Sequence, residues 1–106
     1  LTIRNITGGQ GIDLDNVTGT VTFNNTTVAT TAGNGVDLLN TTANFTGGLD
    51  VTTADGIGFN ATGGGTVGVA NAGTERLVAT GTGTALNLDG VTVAAGGINF
   101  DQATTA

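Results

Sequence analysis

The sequence predicts an all-β fold, a parallel β-helix (β-solenoid) of about 4–5 coils with no significant α-helix, and three observations predict it. Aliphatic residues alternate with polar ones at a period of two, the spacing of a half-buried strand and not of a helix. One such alternating phrase returns every twenty-odd residues, in the range of solenoid and propeller repeats. The chain also has 20 Gly, no Pro and only 9% charged residues. Disordered linkers carry Pro and charge, so this composition describes an ordered chain with flexible joints.

Along the chain, "LTIRNIT" (Leu1 to Thr7) reads as an opening strand. In "GIDLDNV" (Gly11 to Val17), Ile12 and Leu14 face one side while Asp13 and Asp15 face the other. The phrase returns as "GVDLLNT" from Gly35, "GIGFNAT" from Gly56, "ALNLDGV" from Ala85 and, shortened, "GINFDQA" from Gly97. Starts at 11, 35, 56 and 85 lie 24, 21 and 29 residues apart. Further short runs fall between them: "TVTF" (Thr20 to Phe23), "LDVT" (Leu49 to Thr52), "TVGV" (Thr66 to Val69), "RLVAT" (Arg76 to Thr80) and "VTV" (Val91 to Val93). Each unit thus holds two or three strands. Joints such as "TAGNG" (Thr31 to Gly35) and "ATGGG" (Ala61 to Gly65) supply Gly and Asn where the chain must turn. The chain ends on "INFDQATTA" (Ile98 to Ala106), read as one more strand and a polar tail. No stretch offers the apolar stripe a helix needs.

A β-propeller blade takes roughly 40 to 50 residues, which leaves this chain an incomplete ring. Solenoid coils of about 20 to 25 residues fit better. Residues 1–106 are then a single β-solenoid module. Its expected interior ladder is Ile12, Val36, Ile57 and Leu86, with Leu14, Leu38, Phe59 and Leu88 beside it.

The net charge of −6 sets eight acidic residues against Arg4 and Arg76. Without a basic face, neither nucleic acid nor an anionic membrane surface is an expected partner. No apolar run reaches the about 20 residues of a membrane span, so no membrane insertion is expected. Cys is absent, which removes disulfides and thiolate metal sites. The chain starts at Leu1 and contains no Met, which reads as a mature product or an excised piece.

"GGQGIDLD" (Gly8 to Asp15) and "AGNGVDLL" (Ala32 to Leu39) approach the calcium-binding nonapeptide G-G-x-G-x-D-x-U-x, and a calcium ion there would use Asp13 and Asp37. Nonapeptide arrays are contiguous, whereas these copies are 24 residues apart; the other reading is a tight glycine turn before a strand. No cofactor is expected otherwise. Nor is an enzyme: His, Lys and Cys are missing, sugar-stacking Trp and Tyr are missing, and Asp13 with Asp15 forms a solvated face. An ice-binding threonine face would need outward Thr pairs in every coil, and "LDVT" and "TVGV" break that register. The Asn-x-Thr triplets at Asn5, Asn16, Asn25, Asn40, Asn44 and Asn60 read as turn and ladder residues.

The phrases "GTALNLDGVTV…GGINFDQ" and "GIDLDNVTGTVTF" resemble the β-strand-repeat regions of large bacterial surface proteins, of the filamentous-haemagglutinin and autotransporter-passenger kind. The resemblance covers most of the chain. It implies a right-handed parallel β-helix at the cell surface or outside the cell, serving as stalk, adhesin or matrix component, and carries over no catalytic residues. A solenoid has two open ends, each with unpaired N–H and C=O groups, and natural ones are closed by a polar cap. No cap is legible here. Leu1 and Ile3 at one end, Ile98 and Phe100 at the other, are the residues expected to stack on identical copies or on flanking coils of a longer stalk. An adhesin module binding host or matrix glycans is the alternative.

Overall fold

A computed structural model describes every residue from Leu1 to Ala106 and turns the alternating phrases into thirteen strands with no helix. In chain order these are β1 (Thr2–Ile6), β2 (Ile12–Asp15), β3 (Thr20–Phe23), β4 (Thr26–Thr30), β5 (Val36–Leu39), β6 (Thr42–Phe45), β7 (Leu49–Thr53), β8 (Ile57–Thr62), β9 (Thr66–Val69), β10 (Glu75–Ala79), β11 (Thr84–Asp89), β12 (Thr92–Ile98) and β13 (Gln102–Thr105). Every third strand joins the same sheet. The first sheet runs β1-β4-β7-β10-β13, the second β2-β5-β8-β11 and the third β3-β6-β9-β12, with every pairing parallel. Three strands therefore make one coil. The chain completes four coils and the first strand of a fifth: a parallel β-solenoid, as the repeat predicts.

Inward side chains stack coil upon coil between the three sheets. The first sheet contributes Ile3, Val28, Val51 and Leu77 in register. The third contributes Val21, Ala43, Val67 and Val93, with Phe23, Phe45, Val69 and Ile98 beside them. All four Phe meet across this space: Phe23 stacks on Phe45 at 4.7 Å, Phe45 meets Phe59 edge-on at 5.7 Å, and Phe59 meets Phe100 at 6.0 Å. In an apolar cluster otherwise built from Val, Ile, Leu and Ala, these rings bridge from one coil to the next and from one sheet to another. Offset and edge-on pairs of this kind add roughly 0.5–1.5 kcal/mol beyond the area they bury.

The second sheet corrects the expected ladder in one coil. Ile12, Val36 and Leu86 share a column, but its third rung is Phe59, not Ile57. Beside it stand Leu14, Leu38 and Leu88, and there the third rung is Ala61 instead of Phe59. Ile57 falls two positions early, opposite Thr84, and is half-buried at the corner. The cause is a choice between two glycines. Aligning the phrases on Gly56 gives the wrong register, because the residue equivalent to Gly11 and Gly35 is Gly58. At all three, an added Cβ would lie 2.6 Å from a carbonyl oxygen of the next coil. Gly56 belongs to a separate column with Gly9, Gly33 and Gly83, in which the backbones of successive coils also touch.

Two further expectations at the chain's end are corrected. "GINFDQA" is not a fifth copy of the second-sheet phrase: Ile98 closes β12 opposite Val69, and Phe100 sits in the corner that leads back to the first sheet. The residues read as a polar tail form β13, paired to β10 from Arg76–Gln102 to Ala79–Thr105.

Candidate functional site: open ends and an uncharged cleft on the flank

The outer face of the second sheet places the calcium candidates side by side. Asp13 and Asp37 are register partners, and the column continues through Asn60 and Asn87. Both oxygens of Asp37 already accept hydrogen bonds, from Asn34 Nδ2 at 2.8 Å and Asn60 Nδ2 at 3.0 Å, and Asn87 Nδ2 donates in turn to Asn60 Oδ1 at 2.8 Å. Amide donors thus occupy both carboxylate oxygens of Asp37. No group of three or more His, Cys, Asp or Glu that could hold a metal gathers anywhere in the molecule. The arrangement works as a ladder that ties one coil to the next. A second rung of the same kind forms at the following corner, where Asn40 Nδ2 donates to Asn16 Oδ1 at 2.9 Å.

Three of the remaining charged residues, Asp50, Arg76 and Asp55, make cross-coil contacts. On the first sheet Arg76 grips Asp50 through Nε at 2.9 Å and Nη2 at 3.0 Å, and those bonds and the neighbouring negative charge raise the Arg76 pKa. Asp55 accepts from the backbone N–H and hydroxyl of Thr82, both at 3.0 Å, which holds its carboxyl below the ordinary value of 3.8. Glu75, which the pattern of apolar residues does not single out, is fully buried in register with Leu49. Its Oε1 accepts from the Ala72 N–H at 2.9 Å, and its Oε2 has no partner.

At the two ends, strands stand unpaired on one side. β1, β2 and β3 form one rim; β13, β11 and β12 form the other. The chain has no helix to cap either one. Four large apolar side chains are exposed on the molecule, and three belong to the end coils: Leu1 at 61%, Leu86 at 36% and Val93 at 48%. Ile3 is half-buried beneath the first rim. At the far end Ile98 and Phe100 turn partly into the core, so Leu86 and Val93 present the apolar contact expected of them.

A cleft of about 440 Å³ lies along the outer face of the third sheet. Its floor is the outward column Thr22, Asn44, Gly68 and Ala94, one residue from each coil. One wall is the Gly96–Asn99 segment, where β12 leaves its register with β9 between Val93 and Ile98. Thr46, Ala70 and Asn71 form the other wall. The lining is uncharged throughout and mainly apolar in area, with Phe45 and Val69 contributing to it beside the polar side chains. Sequence reading missed the cleft; the available signal was the run Ala94-Ala95-Gly96-Gly97, which breaks the alternation of the strand it interrupts.

No protein-family model, curated protein or solved structure matches the chain. Its class is therefore defined by its own geometry, a parallel β-solenoid. The likeness to filamentous-haemagglutinin and autotransporter-passenger repeats rests on strand-and-turn phrases alone.

Proposed function

We propose that this chain is a structural, self-stacking β-solenoid, a filament, stalk or matrix component outside a bacterial cell. Its ends pair with further parallel coils, in identical copies or in flanking segments of a longer chain. The observation that carries this reading is the coincidence, at both ends, of unpaired strand edges with most of the exposed large apolar side chains. An open parallel edge is a template for another strand, and proteins that avoid such pairing place Lys, Pro or a bulge on the edge. This chain has no Lys and no Pro, and register shifts interrupt only two of the rim strands, β1 and β12, which leaves β2, β3, β11 and β13 as regular open edges. Pairing would satisfy the rim N–H and C=O groups and bury Leu86, Val93 and Leu1 without any reactive side chain. With no His, Cys or Lys in the sequence, the reading assigns no reaction. The extracellular, bacterial setting is what the resemblance of the repeat phrases implies.

Sedimentation velocity over a concentration series tests the proposal. The wild-type chain is expected to grow into larger species with concentration, and Leu86→Lys together with Val93→Lys to hold it near 10.2 kDa. Both side chains are the last rungs of inward columns and open to solvent at the end of the solenoid, so a far-UV circular dichroism spectrum matching the wild type accompanies the comparison. A wild type that stays at the monomer mass throughout, indistinguishable from the double variant, contradicts self-stacking.

A further inference from the structure

We propose that the cleft on the third sheet binds a neutral carbohydrate chain. The site is built by a local irregularity. Where β12 shifts register between Val93 and Ile98, the intervening residues leave the ladder and rise as a wall, with Gly97 at φ 87°. Bulges that interrupt pairing are commonly sited beside functional surfaces, because they re-aim backbone and side chains. Asn99 pins this one, its Nδ2 donating to Val69 O at 2.8 Å and Gly96 O at 3.1 Å, which leaves its Oδ1 without a partner in the protein.

The chemistry of the lining selects the ligand. Thr22, Asn44 and Asn71 make no side-chain hydrogen bond within the protein, so the cleft holds one free hydroxyl and two free amides, each both donor and acceptor. A vicinal array of sugar hydroxyls has the same dual character. Nothing in the cleft could neutralise an ionic ligand, and the net charge of −6 disfavours anions. The volume of 440 Å³ lies within the range of small-ligand sites, roughly 300–1,000 Å³. Along the solenoid axis the floor residues repeat at about 4.8 Å, so the groups of successive coils form a row that an extended chain of hydroxyl-bearing units can follow. Gly68 keeps the floor open: a Cβ there would stand 2.9 Å from Asn44 Oδ1 and 3.0 Å from the Ala94 Cβ. The cleft lies on a flank, so it stays accessible whether or not the ends are stacked, and the inference does not rest on the stacking reading.

Saturation-transfer difference NMR tests it, since that method tolerates any assembly state. The probes are cellotetraose, mannotetraose and N-acetylated chitotetraose, with tetragalacturonate as the charged comparison. At least one neutral tetrasaccharide is expected to receive saturation, with a dissociation constant that rises about fivefold in Asn44→Ala. Gly68→Val, which fills the floor, is expected to abolish the transfer, and tetragalacturonate to show none. No transfer to any neutral probe, transfer indifferent to both substitutions, or stronger transfer to tetragalacturonate would overturn the assignment. Asn44→Ala lies on the outer face and keeps the test decisive if Gly68→Val fails to fold.

Discussion

At the scale of single residues, Asn does what Gly does elsewhere in the coil and adds a bond. Asn16 and Asn40 occupy the left-handed region at φ 53° and 46°, and Gly63 and Gly90 take the corresponding turns at φ 74° and 68°. A side chain with a Cβ normally avoids this region at a cost of about 1–2 kcal/mol, and Asn is among the exceptions. Asn40→Ala should therefore lower stability by about 2 kcal/mol, combining backbone strain with the lost bond to Asn16, whereas Asn40→Gly should lose only about 1 kcal/mol. Urea denaturation of both variants checks the order. Asp55 governs an acid response. Its folded pKa is depressed by the Thr82 donors, so the folded state binds fewer protons than the unfolded one near pH 3.8. That contribution is complete above the unfolded value and is lost as pH falls through the folded one. Melting curves taken from about pH 5 down to about pH 2 should accordingly fall more steeply for the wild type than for Asp55→Asn.

At the scale of elements, the coil is held by its corners as much as by its strands. Gly33 sits where the backbone of its coil touches that of the coil beneath; an added Cβ would overlap the Gly9 carbonyl, a group that cannot rotate away. Nothing lies within 4 Å of a Cβ built on Gly8. Gly33→Ala should cost several kcal/mol, at or beyond the about 1–3 kcal/mol typical of overpacking, while Gly8→Ala should be near neutral in the same thermal melts. This contrast also explains what could be read from the sequence. Strands whose inward positions are aliphatic, such as β2, β5 and β11, were legible from alternation. Those built otherwise were not: β4 points Thr26, Val28 and Thr30 inward, and β6 points Ala43 and Phe45. The buried hydroxyls are satisfied locally, Thr26 donating to Asn24 O at 2.8 Å and Thr30 to Gly33 O at 2.7 Å, so polarity at these positions does not signal exposure. The misplacement of Ile57 has the same root, since the glycine pair at 56 and 58 is resolved only by contacts with neighbouring coils.

At the scale of the whole molecule, the repeat phrase specifies the winding direction of hydrogen bonds but contains nothing to stop it. Each coil offers the next an apolar layer and rows of donors and acceptors, interrupted at the register shifts of β1 and β12, and the end coils offer them to solvent. The Asp37–Asn60–Asn87 and Asn16–Asn40 ladders and the Arg76–Asp50 fork all link neighbouring coils, so lateral polar chemistry is used to hold register along one axis. The candidate site was only half legible for this reason: the open ends follow from the repeat, whereas the cleft arises where the repeat is broken. The claim that the ends extend the same winding is tested most directly by diffraction from aligned, concentrated protein. Pairing of rim to rim predicts filaments with a reflection near 4.8 Å along the filament axis. Filaments with that spacing across the axis, or no filaments at any concentration, would contradict it.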